Sequence, residues 1–156
     1  MLYATQHLHT GTDGGLLNDI GTFGFIWGDP TTCTIIAKGK GHVPSEASNI
    51  SSARTELCGI FASLMYLRLV MAYFHVVVPQ NGITCTVHCD SRAALQRVQN
   101  ISYSGFGATW QCQANYDLEA AIKFCLGDLP VKIHWEWVRG HASRRNSLTI
   151  SHGWKS

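Results

Sequence analysis

Three acidic residues sit where a folded chain can present chemistry. Asp13 precedes Gly14-Gly15 after a polar-apolar stretch, Asp90 precedes Ser91 after an alternating one, and Glu56 lies early in a long apolar run. Element ends commonly carry functional groups. Three converging carboxylates repel one another unless a divalent cation neutralises them, and hard oxygen donors suit Mg²⁺ or Mn²⁺. Such a cation can generate hydroxide from water and polarise a phosphodiester. Each acid alone also has an ordinary reading. Asp13 can be a turn residue, Asp90 a helix cap, and Glu56 a favourable charge near a helix N-terminus. Capping does not account for Glu56, which with Ser52 as cap lies one position beyond the capping-box site. Their joint placement favours a shared site.

The elements that must position these residues are legible in outline. Gln6 to Asp13 reads as a strand ended by Gly14-Gly15, Gly21 to Trp27 as a strand stopped at Gly28-Asp29-Pro30, and Thr31 to Ala37 as a strand stopped at Lys38-Gly39-Lys40-Gly41. The short turns between them predict an antiparallel meander. Ser51 or Ser52 can cap a long helix, whose Leu57, Ile60, Phe61, Leu64, Leu67, Met71 and Phe74 recur at spacings of three and four. Ile83 to Cys89 alternates as a fourth strand, and Ser91 caps a short helix through Gln99. Asn100 to Gln113 reads as a loop, Asp117 as the cap of a helix over Leu118 to Leu126, and Val131 to Val138 as a last strand. Trp135 and Trp137 share a strand with Ile133; they could stack on bases, but burial statistics favour a place in the core. The order βββαβααβ predicts an α/β fold, with strand-helix-strand crossovers adding parallel strands to the meander.

Length and composition set bounds. The chain has 156 residues, 46% hydrophobic and 14% charged, which favours one folded domain over disorder. A net charge of +2 gives no broad electrostatic grip on nucleic acid. The six cysteines include no Cys-x-x-Cys pair, and Met1 to Thr10 has no secretory pattern, so reduced thiols in an intracellular protein are expected. A zinc site from His7, His9, Cys85, Cys89 or His88 fits no common spacing. Leu57 to Val78 approaches membrane-spanning length, but Arg68 near its middle would cost about 2.5–3.5 kcal/mol on insertion. A buried helix in a protein without a membrane span is expected.

Five short motifs, in order, carry a resemblance. They are Thr12-Asp13-Gly14-Gly15 followed by Gly21-Thr22-Phe23-Gly24-Phe25; Ser52-Ala53-Arg54-Thr55-Glu56-Leu57; His88-Cys89-Asp90-Ser91; Asp117-Leu118-Glu119-Ala120-Ala121-Ile122; and Trp137-Val138-Arg139-Gly140-His141. Together they resemble a type 1 ribonuclease H domain, most similar to those attached to retroelement reverse transcriptases. The resemblance implies a ribonuclease H-like five-stranded mixed sheet flanked by helices over residues 1–141; Ala142 to Ser156 has no clear period and reads as an irregular polar and basic tail, with the family's C-terminal helix missing. It implies metal-dependent hydrolysis of the RNA strand of RNA–DNA hybrids by two Mg²⁺ or Mn²⁺ ions. Asp13, Glu56 and Asp90 would be metal-binding carboxylates, and His141 would assist water activation or product release. Gly14, Gly15, Ser91 and Arg139 would contact the hybrid. A tethered reverse transcriptase domain and a monomeric state follow from the same likeness.

The chain departs from that pattern at its end. The family carries a fourth carboxylate, an aspartate on a C-terminal helix, whereas no acidic residue follows Glu136 here and Ser151 stands near the expected place. The second metal site is therefore expected to be under-coordinated, as in a truncated or frame-shifted copy. An inactive ribonuclease H-like module that binds nucleic acid or supports a neighbouring domain is the alternative. Ile101 to Gln113 holds no Lys or Arg, so the isolated domain should bind hybrid weakly and lose it with salt.

Overall fold

The computed structural model describes residues 7–44, 49–79, 82–103 and 109–140. Strands β1 (His7–Leu17), β2 (Ile20–Asp29) and β3 (Thr34–His42) are followed by helix α1 (Ser52–Tyr73) and strand β4 (Ile83–Cys89). Helix α2 (Arg92–Tyr103), a 3₁₀ turn over Trp110–Cys112, helix α3 (Tyr116–Asp128) and strand β5 (Val131–Trp137) complete the order. The sheet runs β3-β2-β1-β4-β5. β1–β2 and β2–β3 are antiparallel, whereas β1–β4 and β4–β5 are parallel, as the crossovers require. This is the expected mixed sheet.

Several of the meander's boundaries differ from the sequence reading, β2 running on to Asp29 among them. β1 does not end at Gly14-Gly15 but runs on to Leu17, which puts Asp13 inside the strand. The reversal falls at Asn18 and Asp19, with φ of 49° and 60°, the two left-handed positions of a tight hairpin turn. Glycine is needed at Gly14 for another reason, since a Cβ there would sit 2.5 Å from the Glu56 backbone nitrogen. Likewise β3 begins at Thr34 and continues through Gly39 and Gly41, which pair with Phe25 and Phe23 across the ladder. The two aromatic rings occupy the space a Cβ would need at those glycines.

Helix α1 lies against the sheet face that carries Thr10 and Thr12. The Thr10 and Ser63 hydroxyls meet at 2.8 Å, and Gly59 passes close to the Asp13 and Gly24 carbonyls. Ser51 caps it, accepting from the Arg54 backbone N–H at 3.2 Å. Its length and hydropathy would suit a membrane span, yet Leu57, Ile60 and Leu64 are fully buried in the domain core. The helix ends at Tyr73 rather than Val78. His75 turns left-handed at φ 48°, and Val76 donates back to Met71 at 3.0 Å, closing the end before the Val-rich run to Pro79. Phe74, expected on the buried stripe, is consequently exposed.

The remaining helices cover the same core. Ile83, Cys85, Val87 and Cys89 point inward from β4 and pack with Leu95, Val98, Leu118 and Ile122. α2 continues past Gln99 to Tyr103, and α3 starts at Tyr116 and runs through Gly127 to Asp128. Asn115, not Asp117, occupies the cap position of α3. Asp117 instead forms a two-pronged pair with Arg54, at 3.0 and 2.7 Å, that ties α3 to the start of α1. The buried Glu119 carboxylate is held by Arg97 and by the Trp110 indole N–H, each at 2.8 Å. All cysteines are free thiols.

The close approach of β1 to α1 carries a direct prediction. Gly14→Ala would drive a methyl into backbone atoms of Thr55 and Glu56, which cannot swing aside. A loss of about 3 kcal/mol is expected, read as a lower urea midpoint at unchanged m-value.

Candidate metal centre

The centre forms where α1 starts over the end of β4. Glu56 comes from the second turn of α1 and is buried, with 6% of its surface exposed. Its Oε2 accepts from the Cys89 thiol at 3.7 Å, and the Gly14 backbone N–H also donates to the carboxylate. Ligand atoms of Glu56, Cys89 and Asp90 all lie within 4.8 Å of one another. Asp13, exposed on the neighbouring strand, is outside that closest cluster, but its charge reaches Glu56.

Electrostatics record the convergence. Burial, then the Asp90 charge, then the Asp13 charge push the Glu56 carboxyl from its ordinary value of 4.5 up to about 7. The hydrogen bonds from Cys89 and Gly14 oppose this without overcoming it. Burial likewise raises the Cys89 thiol to about 11. A divalent cation relieves this crowding of like charge, and carboxylate oxygens fit a hard ion such as Mg²⁺ or Mn²⁺. The Cys89 sulfur is a softer donor that Mg²⁺ does not use. Among the described residues no fourth carboxylate joins the group.

Asp90 is held from behind. The Trp137 indole N–H donates to the Asp90 carbonyl at 2.9 Å, and Val138 N–H donates to the Cys89 carbonyl at 3.0 Å. The Arg92 guanidinium lies 4.1 Å above the Trp137 ring. Trp137 is therefore not a core residue, as its alternation with Ile133 and Trp135 suggested. It is 42% exposed, while Trp135 packs at the edge of the core. Gly140 passes directly against the Asp90 carboxylate, which leaves no room for a side chain there. Arg139 is exposed beside this crossing. Ser91 caps α2, its hydroxyl accepting from the Ala94 backbone N–H at 3.2 Å. Gly15 is exposed next to Gly14, and His141 lies outside the described residues.

The sequence reading missed Cys89 as a member of the centre and Trp137 as its brace. The adjacency of Cys89 to Asp90 was the available signal for the first. No local signal marks the second, because the β4–β5 pairing creates the contact. The zinc alternative does not assemble. Cys85 and Cys89 face the buried core, while His9 and His88 meet on the opposite sheet face, where Glu136 lies 3.4 Å from His88. Burial, then the nearby His9, hold His88 below the ordinary histidine value against the pull of Glu136.

No family model matches the chain, and no curated protein matches it. Solved structures do. The chain is similar to the N-terminal RNase H domain of a Mycobacterium tuberculosis protein, at 14% identity and a TM-score of 0.62, with 88% of this chain and 86% of that one covered. It is similar to LC11-RNase H1 in complex with an RNA/DNA hybrid, at 12% identity and a TM-score of 0.63, covering 85% and 86%. RNase H1 from the halophilic archaeon Halobacterium salinarum is similar at 14% identity and a TM-score of 0.58, covering 89% and 90%. The fold is therefore ribonuclease H-like, with three antiparallel strands followed by parallel ones and three helices among the described residues.

Proposed function

We propose that this chain is a metal-dependent ribonuclease H that hydrolyses the RNA strand of RNA–DNA hybrids, with Asp13, Glu56 and Asp90 holding Mg²⁺ or Mn²⁺. The observation that carries this reading is the convergence of three acids from β1, α1 and the end of β4, where burial and then the charges of Asp90 and Asp13 raise the Glu56 carboxyl to about 7. A bound divalent ion would supply an activated water and charge neutralisation at the scissile phosphate. The chain's own residues prepare the place. Gly14 N–H fixes Glu56, Trp137 and Val138 hold the backbone at Asp90, and Arg139 offers a cation for phosphate. Exposed backbone at Gly15 and the loop at Ser91 complete the surface on which a hybrid would lie, where the 2′-hydroxyl marks RNA. In this proposal His141 assists proton transfer.

The centre's position on a ribonuclease H-like fold supports hybrid as substrate, since one structural neighbour was solved with an RNA/DNA hybrid. The motif order further suggests a monomeric domain tethered to a reverse transcriptase of a retroelement, where tethering raises effective hybrid concentration, and the reduced cysteines suggest an intracellular one. One observation favours a second reading. Among the described residues no fourth carboxylate stands beside the three, so a second ion would be poorly held there and the module would bind nucleic acid without cutting it.

Incubating a labelled RNA–DNA hybrid with the purified chain separates the two. Cleavage of the RNA strand in Mn²⁺ that stops on chelation is the expected result. A folded protein that binds hybrid and leaves it intact in both Mg²⁺ and Mn²⁺ would establish the second reading.

A further inference from the structure

On the sheet face opposite the helices, a second group of ligand-capable side chains comes together. His9 of β1 pairs with Thr86 and Gly11 pairs with His88 of β4, so the two imidazoles meet diagonally across the parallel ladder. His9 Nδ1 lies 2.9 Å from His88 Nε2, with ring centroids 5.2 Å apart and planes inclined by 23°. On the far side, Glu136 stands directly across the ladder from His88 and places Oε2 3.4 Å from Nδ1. A carboxylate at that distance favours the proton on Nδ1 and leaves the Nε2 lone pair for the side facing His9. Metal-binding histidines are commonly oriented by a carboxylate at their other nitrogen.

The separation of the two nitrogens is that of an N–H···N hydrogen bond, and it is also compatible with one coordination geometry. With metal–nitrogen bonds of about 2.05 Å, cis ligands at a right angle lie about 2.9 Å apart, whereas tetrahedral ligands lie about 3.35 Å apart. The observed 2.9 Å matches the right angle. Square-planar and tetragonal sites with nitrogen and oxygen donors suit Cu²⁺ and Ni²⁺, and Cu²⁺ binds most tightly in the divalent series. We propose that His9 and His88 form a cis bis-imidazole site for Cu²⁺, with Glu136 holding His88 in the ligating tautomer and water filling the remaining positions. Without metal, one proton lies between the two nitrogens. On binding, His9 passes from its Nδ1–H to its Nε2–H tautomer, so both ligands stay neutral and no proton is lost. The His88 side chain is 23% exposed and His9 is half-buried, which leaves a path for the ion. This site shares no ligand with the carboxylate centre, and its test is independent of cleavage.

The probe is Cu²⁺ added to the full chain carrying Cys33→Ser and Cys112→Ser, which removes the exposed thiols that would reduce it. Electron paramagnetic resonance should show one tetragonal Cu²⁺ with splitting from two imidazole nitrogens. Competition with glycine should show binding at least about tenfold weaker in His9→Gln and in His88→Gln, and unchanged in His42→Gln on β3. Unchanged affinity in His9→Gln, or a spectrum with fewer than two nitrogens, would overturn the proposal. If His88→Gln does not fold, the spectrum of the parent chain and the His9→Gln affinity decide the matter.

Discussion

Asp13→Asn is expected to reduce Mn²⁺-dependent cleavage of an RNA–DNA hybrid by about a thousandfold or more, a loss of some 4 kcal/mol in transition-state stabilisation. The substitution keeps the side chain's shape and removes one negative charge from an exposed position inside β1. The fold should therefore persist while the attraction for a cation falls. A second consequence follows from the same charge. Asp13 is one of the groups that raise the Glu56 carboxyl, so its loss should move that titration downward. Measuring turnover and the Glu56 titration in one variant separates two cases. A downward shift together with lost cleavage places Asp13 in the reacting centre. A downward shift with cleavage retained would show that Asp13 only shapes the field around Glu56. Cleavage that disappears from either protein on repurification traces to a contaminating nuclease and counts toward neither case.

Glu56→Gln should make the metal-free protein more stable at pH 8, with a Tm higher by about 4–8 °C. The sign comes from linkage. A carboxyl that titrates near 4.5 when unfolded and at about 7 when folded binds its proton more tightly in the native state. Its neutral form contributes stability that is complete below about 4.5 and lost as pH rises through about 7. Above that, the folded protein carries a crowded, buried charge. Solvent screening trims the full shift to a cost of about 2 kcal/mol. The Glu56→Gln side chain carries no such charge, so the variant should gain at pH 8 and show little difference at pH 4. Added Mn²⁺ should raise the Tm of the parent chain and leave the variant nearly unmoved, because the cation stabilises only the state that binds it. Thermal melts at pH 4 and 8, with and without Mn²⁺, check both statements. A lower Tm for Glu56→Gln at pH 8 would mean that the hydrogen bonds from Gly14 and Cys89 outweigh the charge.

Local signals carried the sequence a long way. Alternation located β4 to the residue, the Ser51-Ser52 pair marked the start of α1 and Ser91 that of α2, and the βββαβααβ order specified the mixed sheet. These features depend on neighbours a few positions apart, so the sequence determines them on its own. The three acids were legible as residues because Asp13 precedes a Gly-Gly pair that reads locally as a turn, Asp90 precedes a helix cap and Glu56 lies near a helix start. What was misread were the places where a distant partner overrules the local preference. Gly14-Gly15 and Gly39-x-Gly41 look like strand breakers, but they lie within strands, where α1 at Gly14, Thr22 at Gly15, and Phe25 and Phe23 at Gly39 and Gly41 occupy the missing side-chain volume. Asp117 looks like a cap and is a partner for Arg54, which stands 63 residues earlier in the chain. Trp137 looks like core and braces Asp90, because β5 adds to the sheet edge beside β4. Likewise the sequence supplied the carboxylates and histidines, whereas only the tertiary structure set the distances on which their chemistry depends. It brought Glu56 under the charges of Asp13 and Asp90, and His9 to within 2.9 Å of His88. The physical reason is range: propensity and capping act within a turn, while charge repulsion, ligand geometry and close backbone approach arise only once strands far apart in the chain lie side by side.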